Sequence, residues 1–136
     1  MRRTLKVCSY ILVYFFFLSC HKQSEKTIKT NIKFDKITYN FGKYKWERGI
    51  EKKIFFKYQN TGNNPLIITD IETSCGCTIP IWNKKPLLPN KTDSIEVMYD
   101  SRTLGFFCKT ITVLYNGENL TQQLTIKGEV TYPGAK

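Results

Sequence analysis

The amino-acid sequence predicts an all-β protein, an antiparallel immunoglobulin-like β-sandwich of about seven strands that follows a signal peptide and a short tether. Three observations predict this fold. Apolar residues recur with a period of two from about residue 30 onward. Turn-forming residues separate the apolar stretches every 8 to 15 residues or so. No window of about 11 residues or more carries the apolar stripe of a helix.

Residues 1–19 are predicted to be a lipoprotein signal peptide. Three basic residues stand at the start, and a run of about 12 apolar residues follows, which is too short to cross a bilayer as a helix. The run ends in "FLSC" (17–20), which resembles the lipobox of bacterial lipoproteins, where the cysteine is acylated and the chain is cut before it. We therefore expect lipidation at Cys20, although Phe17 stands where leucine is usual. A plain signal peptide with a chance cysteine is the alternative.

Cleavage before Cys20 would leave a lipidated N-terminus and polar tether (20–29) and one domain (30–132), which is long enough to bury a core. Loss of the three basic signal residues leaves 18 basic against 11 acidic side chains, so the net charge falls from +10 to +7. The lysines are spaced along the chain with no nucleic-acid-binding motif, so no nucleic-acid partner is expected. They predict a solvated surface that can attract anionic lipid or polymer.

The predicted strands follow one another along the domain and are separated by turns. Within 51–60, Ile54 and Phe56 are predicted to face the core and Phe55 to face solvent. Turn signals at 60–65 and at 116–117 separate neighbouring stretches. The alternating stretches are 30–43, 51–60, 66–75, 94–100, 106–116 and 119–130.

Catalytic groups are scarce, so we predict that the protein is not an enzyme. The one histidine, His21, lies next to the lipidated cysteine rather than in the domain. The sequence has no Gly-x-Ser-x-Gly elbow and no phosphate-binding glycine loop, and no acidic pair is singled out by spacing. No catalytic residue is predicted.

The motif Cys75-Gly76-Cys77 is the main candidate for chemistry. In an extended segment both side chains would share one face, with Cα atoms roughly 7 Å apart. That separation is near the upper limit for a disulfide, so a direct bridge would require the chain to bend at Gly76. Three interpretations stay open at this point: small packing residues at a strand end, a redox or disulfide pair, and a metal site.

A metal site needs more than two thiolates. Cys108 is the natural third ligand beside Cys75 and Cys77, and Met98 is a fourth ligand suited to copper. Such soft ligands favour copper(I) or zinc. The alternation around Cys108, however, places it on the face opposite its apolar neighbours, so its side chain is expected to point outward.

Several short motifs follow one another along the domain: Phe41-Gly42, Asn60-Thr61-Gly62, Pro65-Leu66, Ser74-Cys75-Gly76-Cys77-Thr78, Trp82, Tyr99-Asp100 and Gly128-Glu129-Val130. Through these residues the chain resembles the bacterial domain-of-unknown-function family 1573, which consists of short exported proteins that are often lipoproteins. Asn90 stands where the family usually has glycine, and asparagine tolerates positive φ. The resemblance implies an immunoglobulin-like domain akin to those of the major sperm protein and the Hydin-type proteins, which are mainly scaffolding and protein-binding modules. It implies no catalytic residue.

The leading interpretation is a lipid-anchored, non-enzymatic protein of the bacterial envelope, facing the periplasm, that binds an envelope protein or polymer. Trp82, Tyr44 and Trp46 are candidate contact residues, and packing against the sandwich is the alternative for each. The competing interpretation is a thiol-based metal-binding (copper or zinc) or redox protein that uses Cys75 and Cys77.

Overall fold

Eight β-strands make up the structure, a computed structural model that describes residues 30–47, 51–101, 103–132 and 134. They form two four-stranded sheets, which confirms the predicted β-sandwich. The predicted signal peptide (1–19) and the whole of the predicted lipidated tether (20–29) lie outside the described residues. Within the described ranges, no helix is long and apolar enough to cross a membrane. The strands are β1 (Ile32–Phe34), β2 (Thr38–Lys45), β3 (Lys52–Asn60), β4 (Ile68–Thr73), β5 (Thr78–Ile81), β6 (Thr92–Tyr99), β7 (Gly105–Tyr115) and β8 (Thr121–Thr131).

The first sheet has the strand order β1-β3-β6-β5, and the second has the order β2-β8-β7-β4. All neighbouring strands are antiparallel except β2, which runs parallel to β8. The antiparallel prediction therefore misses this one pair. Parallel pairing arises because β1 crosses to the other sheet after only three residues, and β2 then continues along the edge in the direction of β8.

Two elements differ from the predicted stretches. The stretch 30–43 is divided between β1 and β2, because the inward parity changes between Phe34 and Tyr39. Strand β5 lies in a segment that was predicted as a connection, since it is only four residues long and contains Pro80.

The core lies between the sheets and consists of the inward-facing side chains of both. Ile54, Phe56 and Tyr58 are buried, as the alternation predicts, while Phe55 faces solvent. Tyr99 of the first sheet stacks on Phe107 of the second, with ring centroids 4.3 Å apart. Burial of these apolar side chains is the main source of stability.

One end of the sandwich is organised by a buried asparagine. The Asn60 side chain accepts a hydrogen bond from the Thr30 hydroxyl (2.9 Å) and donates to the carbonyl oxygens of Asn64 (2.8 Å) and Leu87 (2.9 Å). Thr30 also forms a β-bridge with Gly117. We call this end, formed by Thr30, the turns at 60–65 and 87–91 and the loop at 116–120, the Thr30 end.

The four edge strands are poorly suited to adding a further strand. β1 has three residues, and β5 has four, including Pro80, which has no N–H to donate. β2 and β4 each contain an irregularity in register, between Asn40 and Lys43 and between Ile68 and Asp70. Short, bulged or proline-containing edges discourage the addition of a further strand.

Candidate functional site

Cys75 and Cys77 are joined by a disulfide bond, with their Cα atoms 5.2 Å apart. The expectation of an extended segment with a separation near 7 Å was wrong, because the chain turns at residues 74–77 between β4 and β5. The observed separation lies well inside the range found for disulfides. We call residues 74–77 the disulfide turn.

The disulfide turn connects the two sheets. On the side of the second sheet, the Ser74 amide donates to the Thr110 carbonyl (3.0 Å), and the Thr110 amide donates to the Ser74 hydroxyl oxygen (3.1 Å). On the side of the first sheet, the Asp100 amide donates to the Cys77 carbonyl (2.9 Å). The crossover is therefore held at both ends by hydrogen bonds and in the middle by the sulfur–sulfur bond.

The predicted metal site at Cys75, Cys77 and Cys108 is not assembled in this structure. Two of the three sulfur atoms are bonded to each other and offer no thiolate, while Cys108 is a free, exposed cysteine on β7. Its outward orientation agrees with the prediction from alternation. In the part of the chain that the structure describes, no group of three or more His, Cys, Asp or Glu side chains could hold a metal ion.

The three aromatic residues predicted as contacts are half-buried and pack against the core. The Trp46 indole N–H donates to the Ser101 carbonyl (3.0 Å), and the Trp82 indole N–H donates to the Ile68 carbonyl (3.4 Å). The Tyr44 ring lies 6.3 Å from that of Phe107, and burial raises the pKa of the Tyr44 hydroxyl. The structure thus favours packing for all three.

A shallow depression of about 390 Å³ lies on the outer face of the second sheet, next to the bulge in β2. Phe106, which is 87% exposed, stands at its side. Its charged groups include an ion pair between Lys43 and Glu129 (3.4 Å). The depression is lined by Asn40, Gly42, Lys43, Phe106, Phe107, Cys108, Lys127, Gly128 and Glu129.

An apolar patch covers part of the outer face of the first sheet. Phe55, Ile79 and Ile81 are 55%, 43% and 49% exposed, and Met98 is half-buried next to Ile79. In the strand register, Glu96 of β6 lies between Phe55 and Ile81, and Met98 lies between Lys53 and Ile79. We call these four apolar residues the Phe55 patch.

The charges around the Phe55 patch are mixed with a small basic excess, since Asp35 and Lys36 also adjoin Phe55. Lys53 and Lys57 flank Phe55 on the same face of β3. The carboxylate of Glu96 lies 3.5 Å from the Lys53 ammonium, so the acidic group within the patch is already paired.

A family model described as "Protein of unknown function (DUF1573)" matches residues 32–130. The chain belongs to this family. The DUF1573 match covers nearly the whole sandwich, from β1 to the penultimate residue of β8. No match was found among curated proteins.

Several solved structures are similar to this DUF1573 domain. A protein of unknown function from Porphyromonas gingivalis W83 has a TM-score of 0.66 and 12% sequence identity, over 80% of this chain and 51% of that one. A human PapD-like domain, domain 7 of CEP192, has a TM-score of 0.60 and 10% identity, over 81% and 89% of the two chains. The VesB protease of Vibrio cholerae has a TM-score of 0.53 and 15% identity, over 73% and 31%.

These likenesses concern the fold alone, because all three identities are low. The chain spans about half the length of the Porphyromonas protein and about a third of VesB. They agree with the β-sandwich architecture, which proteins of unrelated activity share.

The alternation in β3 predicts that Phe55 faces outward, but it does not predict the Phe55 patch. Ile79 and Ile81 were missed because β5 was not predicted. The sequence pattern that indicates β5 is the alternation in "TIPI" (78–81), which is interrupted by Pro80.

Proposed function

We propose that this DUF1573 protein is a lipid-anchored, non-enzymatic binding module of the bacterial envelope, which uses the Phe55 patch to hold another envelope protein. The observation that carries the proposal is the patch itself. An antiparallel sheet facing water normally alternates apolar-in and polar-out. Here three of the four outward apolar side chains are about half exposed, and such a patch typically marks an interaction site.

The surrounding charges suggest the chemistry of the partner. Lys53 and Lys57 border the patch, and Glu96 is paired with Lys53. A partner segment that combines apolar side chains with acidic residues would bury the patch and complement the lysines. Such charges chiefly increase the association rate and the specificity, while the buried apolar centre supplies most of the affinity.

Lipid anchoring at Cys20 would concentrate this module at a membrane surface on the periplasmic side. The support is the "FLSC" sequence at residues 17–20 after a short apolar run with a basic start. The direct test is labelling with a radioactive fatty acid in cells. The natural chain should be labelled and the Cys20→Ala variant should not, and label on the variant would contradict the anchor.

The binding proposal is tested by photo-crosslinking in intact cells. A photo-crosslinking residue at position 79 lies within the Phe55 patch, and the same residue at position 123 reports on the outer face of the second sheet. We expect one adduct at position 79 that disappears when Phe55→Asp is added and persists when Gln123→Asp is added. An adduct at 79 that is insensitive to Phe55→Asp, or equal adducts at both positions, would contradict the proposal.

The disulfide bond supports a second candidate function, a redox role for Cys75 and Cys77. Both cysteines are partly exposed, so a thiol reagent can reach the turn. The test is equilibration of the purified protein with defined ratios of reduced and oxidised glutathione, followed by alkylation and mass analysis. Reduction within the glutathione range would support a redox role, and a pair that stays oxidised throughout would indicate a structural bond.

A copper or zinc site would require the reduced pair and a further ligand. Metal analysis of the reduced sample tests this alternative with the same material. Stoichiometric metal that is lost in the Cys75→Ser, Cys77→Ser variant would favour it over the binding module.

A further inference from the structure

Two leucines at the Thr30 end have side chains that lie mostly in solvent. Leu88, in the 87–91 turn, is 58% exposed, and Leu120, in the 116–120 loop, is 65% exposed. Single exposed leucines are common on soluble proteins. These two are distinguished by the backbone conformation of one and by the end of the molecule on which both lie.

Leu120 has a φ of 58°, in the left-handed region. A branched, bulky side chain is rare in this region because its Cβ crowds the backbone. The turn at 87–91 shows the ordinary solution at the same end, since Asn90 occupies the left-handed position there with a φ of 63°. The backbone at position 120 thus holds an apolar side chain outward in a conformation that glycine or asparagine would adopt more easily. Backbone strain of this kind is concentrated at functional sites.

Hydrogen bonds connect both loops to the place where the N-terminal segment enters the fold. The Asn90 amide donates to the Asn60 carbonyl (2.9 Å), which ties the Leu88 turn to the Thr30 end. In the Leu120 loop, the Glu118 amide donates to the Thr30 carbonyl (3.3 Å). Both leucines therefore project from the end at which the chain arrives from Cys20.

The chain between Cys20 and Thr30 is short. Ten residue steps span at most about 36 Å when fully extended, and about 17 Å on average for a flexible chain. Strand β7 alone is about 33 Å long, so Phe106 lies about 30 Å from the Thr30 end. A lipid on Cys20 would therefore on average hold the Thr30 end closer to the bilayer than the end that carries Phe106.

We propose that the Thr30 end is a membrane-docking surface, with Leu88 and Leu120 inserting into the interfacial region of the bilayer that holds the anchor. This inference rests on the lipid anchoring proposed above. The exposed Lys91 lies in the same turn as Leu88 and suits the anionic headgroup layer. Peripheral proteins bind membrane interfaces by inserting apolar side chains and placing basic groups near the anionic lipids, and the two leucines and Lys91 fit this pattern. Docking would hold the strands roughly perpendicular to the membrane and leave the Phe55 patch accessible to a partner.

The test uses lipidated protein purified from cells and reconstituted into vesicles of phosphatidylethanolamine and phosphatidylglycerol. Cys108→Ser removes the free thiol, and an environment-sensitive fluorophore is then attached to the cysteine of a Leu88→Cys, Leu120→Cys or Phe106→Cys variant. Phe106 is the matched control because it is at least as exposed as either leucine and lies far from the Thr30 end. Flotation of the vesicles reports the lipid anchor independently of the fluorophore.

We expect blue-shifted emission and reduced quenching by iodide for the labels at 88 and 120, and neither effect for the label at 106. If the protein floats with the vesicles and all three labels are quenched equally, docking is wrong while the anchor stands. If the protein does not float, the anchor is wrong and docking falls with it. A blue shift at 106 alone would show that the opposite end faces the membrane and would also overturn the proposal.

Discussion

The two sheets have similar inner faces and different outer faces. Both inner faces carry Ile, Val, Leu and aromatic side chains that are almost fully buried. On the outer face of the second sheet, β7 and β8 present mainly hydroxyl and amide groups along their middle, with the exposed Phe106 near one end, whereas the first sheet presents the Phe55 patch. The outward residues of the second sheet include Thr110, Thr112, Thr121, Gln123 and Thr125.

The difference between the two outer faces indicates which apolar residues the fold requires. The second sheet shows that this sandwich is compatible with a polar outer face, in agreement with the usual alternation of antiparallel sheets. We therefore expect the apolar outer face of the first sheet to contribute little to folding, and we infer that it has another use. This inference requires inner and outer positions of the first sheet to differ in their contribution to stability.

The largest expected effect comes from replacing, one at a time, two neighbouring phenylalanines on opposite faces of β3 by alanine. Phe56 is 0% exposed, so Phe56→Ala should lower the free energy of unfolding by about 3–5 kcal/mol through lost burial and the cavity left behind. Phe55→Ala should change it by about 0.5 kcal/mol or less, as is usual for surface positions. Urea unfolding of the purified domain measures both.

The contrast between Phe55 and Phe56 has a clear failure condition. If Phe55→Ala costs more than about 2 kcal/mol, the side chain contributes to the fold. The Phe55 patch would then lose its interpretation as a binding surface. Thr112→Ala, on the outer face of the second sheet, is the matched control.

The inner face of the first sheet should also make the protein sensitive to alkali. Burial, with a smaller contribution from the Asp93 charge, raises the pKa of Tyr58 to about 12, compared with about 10 in an unfolded chain. Between these values the unfolded chain has lost the Tyr58 proton and the folded chain retains it, so stability should fall as the pH rises from about 10 to 12. Below pH 10 this effect is absent.

Urea midpoints at intervals between pH 9 and pH 12 measure the effect. Tyr58→Phe should make the decline shallower. It should not abolish the decline, because burial also raises the pKa of Tyr99 and of Tyr115. An unchanged slope in the Tyr58→Phe variant would show that the hydroxyl proton at this position is not linked to folding.

Much of the fold could be predicted from the sequence, because in-and-out alternation is a local pattern. The stretch 51–60 was predicted correctly, and so was the outward orientation of Cys108. The crossing from β1 to β2 and the parallel pairing with β8 depend on contacts between distant segments, which the pattern of one segment does not encode. Strand β5 was missed because its four residues contain a proline.

The candidate site was less predictable for the same reason. Phe55 was expected to face outward, but the Phe55 patch requires β5 to lie beside β6. The assumption that residues 75–77 were extended also led to the wrong separation between Cys75 and Cys77. The turn that brings their Cα atoms to 5.2 Å follows from the crossover between the sheets.

Removal of the disulfide bond, which links the two sheets, should have an intermediate effect on the free energy of unfolding. Replacing Cys75 and Cys77 together by serine should lower the free energy of unfolding by about 1–2 kcal/mol, the entropy expected for closing a three-residue loop. Cys108→Ser, at an exposed position of the second sheet, should have little effect. Urea unfolding under oxidising conditions measures both variants.

A loss well above 3 kcal/mol in the double variant would indicate that the sulfur–sulfur bond, rather than the surrounding hydrogen bonds, holds the crossover. Equal effects of the double variant and Cys108→Ser would indicate that the bond adds nothing to the native fold.

The smallest effect should have the opposite sign and concerns the Thr30 end. Leu120→Gly should raise the free energy of unfolding by up to about 1 kcal/mol, because glycine adopts the left-handed conformation without the steric cost borne by leucine. Leu88→Ser is the control, since it removes an exposed leucine without relieving a positive φ and should be close to neutral. Thermal and urea unfolding measure both, and a loss above 1 kcal/mol for Leu120→Gly would show that Leu120 packs within the domain. A gain in stability would instead mean that the natural residue is retained against the preference of the fold, as expected for a side chain that contacts something outside it.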